Sequence, residues 1–167
     1  MSYIGGGMVK VVQSMVEYFG KDVKRINHAL KVLSFSGIIS EETVSEKKTD
    51  EIIRYAAILH DIGIKEAEKK HNSTAGNYQE LEGPPIARSI LQKLNIQEAC
   101  IDRVCFLVGN HHSYTKIDGI DFQIIVEADF LVNMYEDSMS RATIATIYKN
   151  IFKTDAGKRL CMSMYLS

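Results

Sequence analysis

His60 and Asp61 stand side by side at the end of an apolar run, one turn after Ala56, Ala57 and Ile58. Asp129 has Ile125 and Val126 behind it and Val132 ahead of it, on a helical stripe that should face the interior. An unpaired carboxylate there costs several kcal/mol or is forced to keep its proton, so Asp129 needs a partner. His28 sits one turn before Val32 in another amphipathic segment, and His111 and His112 follow the apolar run Val104–Val108. Each of these has an ordinary explanation when taken singly: a hydrogen-bonded histidine, an aspartate paired with an arginine, a polar helix end. Together, four imidazoles and two carboxylates on apolar helix faces form the donor set that divalent transition metals require, and iron, manganese, zinc and nickel all suit it. Helices that converge on one ion can deliver such ligands from distant parts of the chain, and the ion supplies the charge that Asp129 lacks.

The elements that must position these residues are helices. Apolar residues recur at helical spacing almost throughout, and sustained strand alternation is absent, so the expected class is all-α. The spacing predicts a first helix over Lys10–Phe19, stopped at Gly20, and a second capped by Asp22 and running towards Gly37. The polar run Ser40–Thr49 reads as a loop, after which Asp50 caps a helix over Glu51–Asp61. Lys65–Lys70 reads as a short charged helix, and Asn72–Gly83 as the longest irregular loop, a common place for function. Pro84 and Pro85 suit the first turn of the next helix, over Ile86–Leu94. Helices over Ile96–Asn110, Asp121–Glu136, Arg141–Phe152 and Asp155–Tyr165 complete the expected bundle.

At 167 residues the chain should form one domain over 1–167, with a metal-site core at about 23–135 and carboxy-terminal helices over 140–167. Hydrophobic residues make up 46% and charged residues 25%, which argues for a packed core and against disorder. Lys and Arg number 20 against 21 Asp and Glu, so overall charge draws the protein neither to a nucleic-acid polymer nor to an anionic membrane. No apolar run reaches the roughly 20 residues a bilayer span needs. Met1, Ser2, Tyr3 and Ile4 lack the basic start and apolar core of a signal peptide, so a cytoplasmic protein is expected. The three cysteines, Cys100, Cys105 and Cys161, are too few and too widely spaced for a disulfide framework, and Cys100 and Cys105 read as small core residues of one helix.

The series His28, then His60-Asp61 within "LHDIG", then Asp129 within "EADFLVN" resembles the HD-domain metal-dependent phosphohydrolase superfamily. The pair His111-His112 resembles the double histidine of its two-metal members. Those members commonly carry one further histidine between the two motifs; here Glu82, before "GPPIARSILQKL", takes that role by resemblance. A helix-start acid is the alternative reading of Glu82. His71 has no counterpart in the pattern and reads as a surface residue. The resemblance implies one metal held by His28, His60, Asp61 and Asp129, and a second held by Glu82, His111 and His112, with Asp61 bridging. The GYP segment of the cyclic-dinucleotide phosphodiesterases is absent, "HHSYTKIDGID" standing in its place, which argues against cyclic-di-GMP as substrate.

The resemblance implies hydrolysis of a small phosphate ester, a nucleotide or phosphorylated metabolite, by a hydroxide bridging two divalent transition metal ions (Fe, Mn, Ni or Zn). Asp61 is the expected catalytic centre. Lys65, four residues after it, is a candidate phosphate contact, with a solvated lysine as the competing reading, and Arg88 is a second, weaker candidate. Two other classes stay open on the same scaffold: a di-iron oxygenase, and a nucleotide-binding regulatory module. A homodimer is compatible with all three. Specificity is expected to depend on Asn72–Gly83, Ser113–Gly119 and the carboxy-terminal helices.

Overall fold

A computed structural model describes residues 6–167; the amino-terminal residues read above for a signal peptide lie outside the described residues. The architecture is all-α, and no β-strand occurs among the described residues. The helices are α1 (Gly6–Phe19), α2 (Val23–Thr43), α3 (Lys47–Leu59), α4 (Ile64–His71), α5 (Gly76–Lys93), α6 (Glu98–Val108), α7 (Ile120–Glu136), α8 (Arg141–Ile151) and α9 (Asp155–Cys161). A short 3-10 turn at Tyr114–Lys116 precedes α7, and a π-turn at Met162–Leu166 follows α9. None of the described helices is long and apolar enough to cross a membrane.

The centre of the bundle is α7, with α2 and α3 packed against it. Phe122, Ile124, Ile125, Val126, Ala128, Leu131, Val132 and Met134 are all buried, so α7 is covered on nearly every side. A helix of this kind belongs inside a protein, and any polar residue on it has to find a partner there. Glu127, wholly buried, does so by accepting from Gln123 Nε2 (2.7 Å) and from the backbone N–H groups of Lys153 (2.6 Å) and Thr154 (3.0 Å). Thus α7 holds the junction between α8 and α9. Around this centre α6 packs on α3 and α5, α4 on α5, and α1 on α3.

Several boundaries agree with the sequence pattern. Gly20 adopts φ +61°, the left-handed conformation that ends α1, and the Asp22 carboxylate accepts from Arg25 N–H (3.2 Å) at the start of α2. Cys100 and Cys105 are buried, unpaired thiols of α6.

Two boundaries differ. Helix α2 continues through Gly37 to Thr43, so most of the expected loop over Ser40–Thr49 is helical. Buried Ser40 donates to Asp50 (2.7 Å), and Arg54 reaches back to the same carboxylate (2.7 Å), so Asp50 joins α2 to α3 within the first turn of α3 instead of capping it. Gly37 leaves room for Arg54: a β-carbon there would lie 3.0 Å from its guanidinium.

The second difference is α5, which starts at Gly76 and passes through Pro84 and Pro85. The irregular segment is therefore only residues 72–75. Two prolines cannot donate to the carbonyls of Glu80 and Leu81, and their usual place is a first turn. Here burial outweighs that preference, with Gln79, Gly83, Ala87 and Leu91 forming the buried stripe of α5.

Candidate metal centre

Two helix ends do the local positioning. The last carbonyls of an α-helix have no partner within the helix. At the end of α3, His60 Nδ1–H donates to the Ala57 carbonyl (2.8 Å); at the end of α6, His111 Nδ1–H donates to the Val108 carbonyl (2.9 Å). The same three-residue step thus fixes both tautomers and leaves each Nε2 as a lone pair facing inward. His28, on the buried face of α2, donates from Nδ1 to Glu136 Oε2 at the end of α7 (2.9 Å), so its Nε2 faces inward as well. Carboxylate-oriented histidine is the usual support of a metal ligand.

The inward atoms crowd together. His28 Nε2 lies 3.1 Å from His60 Nε2, 3.2 Å from Asp129 Oδ1 and 3.4 Å from Asp61 Oδ2. His60 Nε2 lies 3.5 Å from Asp61 Oδ2 and 3.6 Å from Asp129 Oδ1. The other oxygen of Asp61, Oδ1, faces His111 Nε2 at 3.2 Å. Asp61 therefore turns one oxygen to each of two ligand groups, His28-His60-Asp61 and Asp61-His111-His112, and within each group the donor atoms lie within 4.8 Å of one another. Asn133 Nδ2 steadies Asp129 (2.9 Å) from one turn further along α7.

The donor set fits a cation. Two imidazole lone pairs 3.1 Å apart repel unless a proton or a metal lies between them. Without a metal, burial pulls His60 down, yet the carboxylates of Asp61 and Asp129 outweigh it and hold this histidine at about 9. Burial likewise opposes ionisation of Asp61 and Asp129, but the surrounding imidazoles keep both carboxyls well below the usual range. Burial and the neighbouring His111 push His112 down to about 4, and its buried Nε2 has no hydrogen-bond partner. The cluster opens into a cavity of about 490 Å³ lined by Asp22, Asp61, Asp129, Glu136 and Asp137 but only two cations, Lys24 and Arg25. Such a lining repels an anion until divalent ions reverse its sign.

Of the residues singled out in the sequence, His28, His60, Asp61, His111, His112 and Asp129 come together. Glu82, Lys65 and Arg88 do not join them. Glu82 accepts from Lys70 Nζ (2.6 Å) and pairs with His71 Nε2 (2.9 Å), tying α4 to α5, and is not one of the residues whose donor atoms group with Asp61. His71, expected at the surface, is half-buried and stacked on Tyr78 at 4.2 Å. Lys65 Nζ donates to the Tyr18 carbonyl (2.9 Å) and lies over the Tyr18 ring. Arg88 is engaged by Glu98 and Asp102 on the outside of α6. Of the expected specificity segments, only Thr74 and Gln79 line the cavity.

Sequence reasoning missed Arg25, Gln79, Asn133 and Glu136. Three of these carried a signal: Arg25 lies three residues before His28, and Asn133 and Glu136 lie four and seven after Asp129, on the ligand-bearing faces of their helices. Gln79 carried none, because the prolines hid the helix it sits on.

A family model described as "HD domain" matches residues 25–153. The fold is similar to the crystal structure of a predicted HD superfamily hydrolase from an uncultured Thermotogales bacterium, with a TM-score of 0.68 and 18% identity over 94% of this chain and 84% of that one. At that identity the likeness is one of fold. No curated protein matches the sequence. With the motif residues assembled in space and the family model spanning most of the chain, the protein belongs to the HD domain family.

Proposed function

We propose that the protein is a metal-dependent phosphohydrolase that cleaves a small phosphate ester, a nucleotide or a phosphorylated metabolite, with two divalent ions at the cluster. HD domains bind divalent metals. The observation that carries the reading is Asp61, whose two oxygens face two separate histidine groups at the floor of an acidic cavity. Divalent ions there supply a Lewis acid that polarises phosphoryl oxygens and makes hydroxide available near neutral pH.

The rest is the work of the chain. His28, His60 and Asp129 hold one side of the floor, and His111 and His112 the other. Glu136 keeps the His28 ring in its orientation, and Asn133 does the same for Asp129. Lys24 and Arg25 stand in the cavity wall, where a cation meets the non-reacting oxygens of an anionic ester. Arg25 is itself braced by Asp22 (2.9 Å) and Glu68 (2.7 Å), which fixes its guanidinium at low entropic cost.

The test is phosphate release by chelator-stripped protein reloaded anaerobically with Mn²⁺ or Fe²⁺, on a panel of monoesters, cyclic nucleotides and nucleoside polyphosphates. Activity that appears with metal and stops with chelator is expected. A metal-loaded protein inactive across the panel overturns the reading, and turnover that requires oxygen replaces it with an oxygenase.

A further inference from the structure

The group Asp61-His111-His112 offers three ligand atoms, and Gln79, which the sequence did not suggest, lines the same cavity as Asp61 and His112. Gln79, on the first turn of α5, is 6% exposed. Its Nε2 donates to the Thr74 carbonyl (2.7 Å), which fixes which end of the amide is the oxygen. That oxygen, Oε1, is buried and has no hydrogen-bond partner. Thr74, Gln79, Asp61 and His112 line the same cavity, which puts the residue carrying the orphan acceptor in the wall that also holds the cluster.

Two glycines bring it there. A β-carbon on Gly76 would lie 2.7 Å from the His112 ring, so the start of α5 rests directly against that histidine. A β-carbon on Gly63, two residues after Asp61, would lie 2.4 Å from the Gln79 carbonyl. Gln79 is thereby bracketed between the two motifs. Glu80 locks the arrangement from the next position, its Oε1 accepting from His112 N–H (3.0 Å) and from the Ser113 hydroxyl (3.1 Å). In the same cavity wall, His112 Nε2 is also buried without a partner. Two unpaired polar atoms in one wall, next to a carboxylate, call for a cation.

We infer that Gln79 is an oxygen ligand of the second divalent ion, together with Asp61, His111 and His112, in the role that resemblance gave to Glu82. The inference rests on the two-ion reading of the site. An amide oxygen is a hard, neutral donor, so this position favours Mn²⁺ over softer ions such as Zn²⁺. It also leaves the ion with more of its charge than a carboxylate would, which strengthens the field on an incoming phosphate.

The experiment is titration of the chelator-stripped full chain with Mn²⁺ alone, read by calorimetry and by electron paramagnetic resonance of the free ion. The parent takes up two ions. Gln79→Leu, checked for an intact fold by its metal-free melting curve, keeps one ion at the parental affinity and binds the other about tenfold or more weakly. Gln79→Glu places a charged oxygen at the same position while its other oxygen loses the hydrogen bond to the Thr74 carbonyl, and changes the affinity for the second ion alone by about tenfold or more; if the leucine variant does not fold, this variant alone decides. A parent that never exceeds one ion, a Gln79→Leu protein that keeps both at parental affinity, or a Gln79→Glu protein with unchanged affinity overturns the assignment. If no phosphate ester is hydrolysed in any metal form while Gln79→Leu still loses an ion, the ligand assignment stands and the substrate reading falls.

Discussion

Asp61 is the residue on which the site's geometry converges, because among the described residues it alone belongs to both ligand groups. Asp61→Ala is expected to lower the rate of metal-dependent hydrolysis by roughly three orders of magnitude, the scale of losing a group that organises charge in the transition state. Activity within about tenfold of the parent would remove it from the centre. Glu82 provides the contrast. Lys70 and His71 hold its carboxyl below the usual range by hydrogen bonding, so its partners are already complete. Glu82→Gln is expected to leave Mn²⁺ stoichiometry unchanged; loss of one ion would restore the ligand role inferred from resemblance. The six residues that come together were legible because histidine and aspartate on apolar helix faces have no inexpensive alternative to a shared partner. Glu82, Lys65 and Arg88 are suggested only by proximity along the chain or by resemblance, and an acid or base outside the core finds an ion pair wherever one is within reach.

At the scale of the elements, the centre depends on where helices end. Ala57 and Val108 present otherwise unused carbonyls, and the histidine three residues on from each accepts that orientation. These ends were visible in the sequence as apolar runs closing on polar pairs. The start of α5 was not, since a double proline reads locally as a first turn, and only the burial of Gln79 and Gly83 reveals that the helix begins earlier. The continuation of α2 past Gly37 was hidden in the same way, by a polar run whose Ser40 and Asp50 satisfy each other across helices. Helix α7 carries its own test. Glu127 accepts hydrogen bonds at both carboxylate oxygens, from backbone N–H groups, Gln123 and the Thr154 hydroxyl. Glu127→Gln must turn an N–H towards one of these, and a loss of about 2 kcal/mol in unfolding free energy is expected from denaturant titration. A loss below about 0.5 kcal/mol would mean that the α8–α9 junction does not depend on this carboxylate.

For the whole molecule, the informative quantity is distance along the chain. The hydrogen bond that orients His28 is accepted by Glu136, 108 residues away, and even Asp61 and His111 are separated by 50. Closing loops of this length costs entropy that only the completed packing of α2, α3 and α7 returns. The ligand cluster is therefore expected to assemble late, after the transition state has been crossed, leaving a cation no organised site to bind on the way. This sets a kinetic signature. In stopped-flow experiments, saturating Mn²⁺ is expected to slow unfolding by an order of magnitude or more while leaving refolding at its metal-free rate, since interactions absent from the transition state act on the unfolding limb alone. Refolding accelerated by Mn²⁺ would show instead that the ion gathers its ligands early. With late assembly, every bound ion delays the parting of the central helices, so the supply of metal around the protein sets how long its fold lasts.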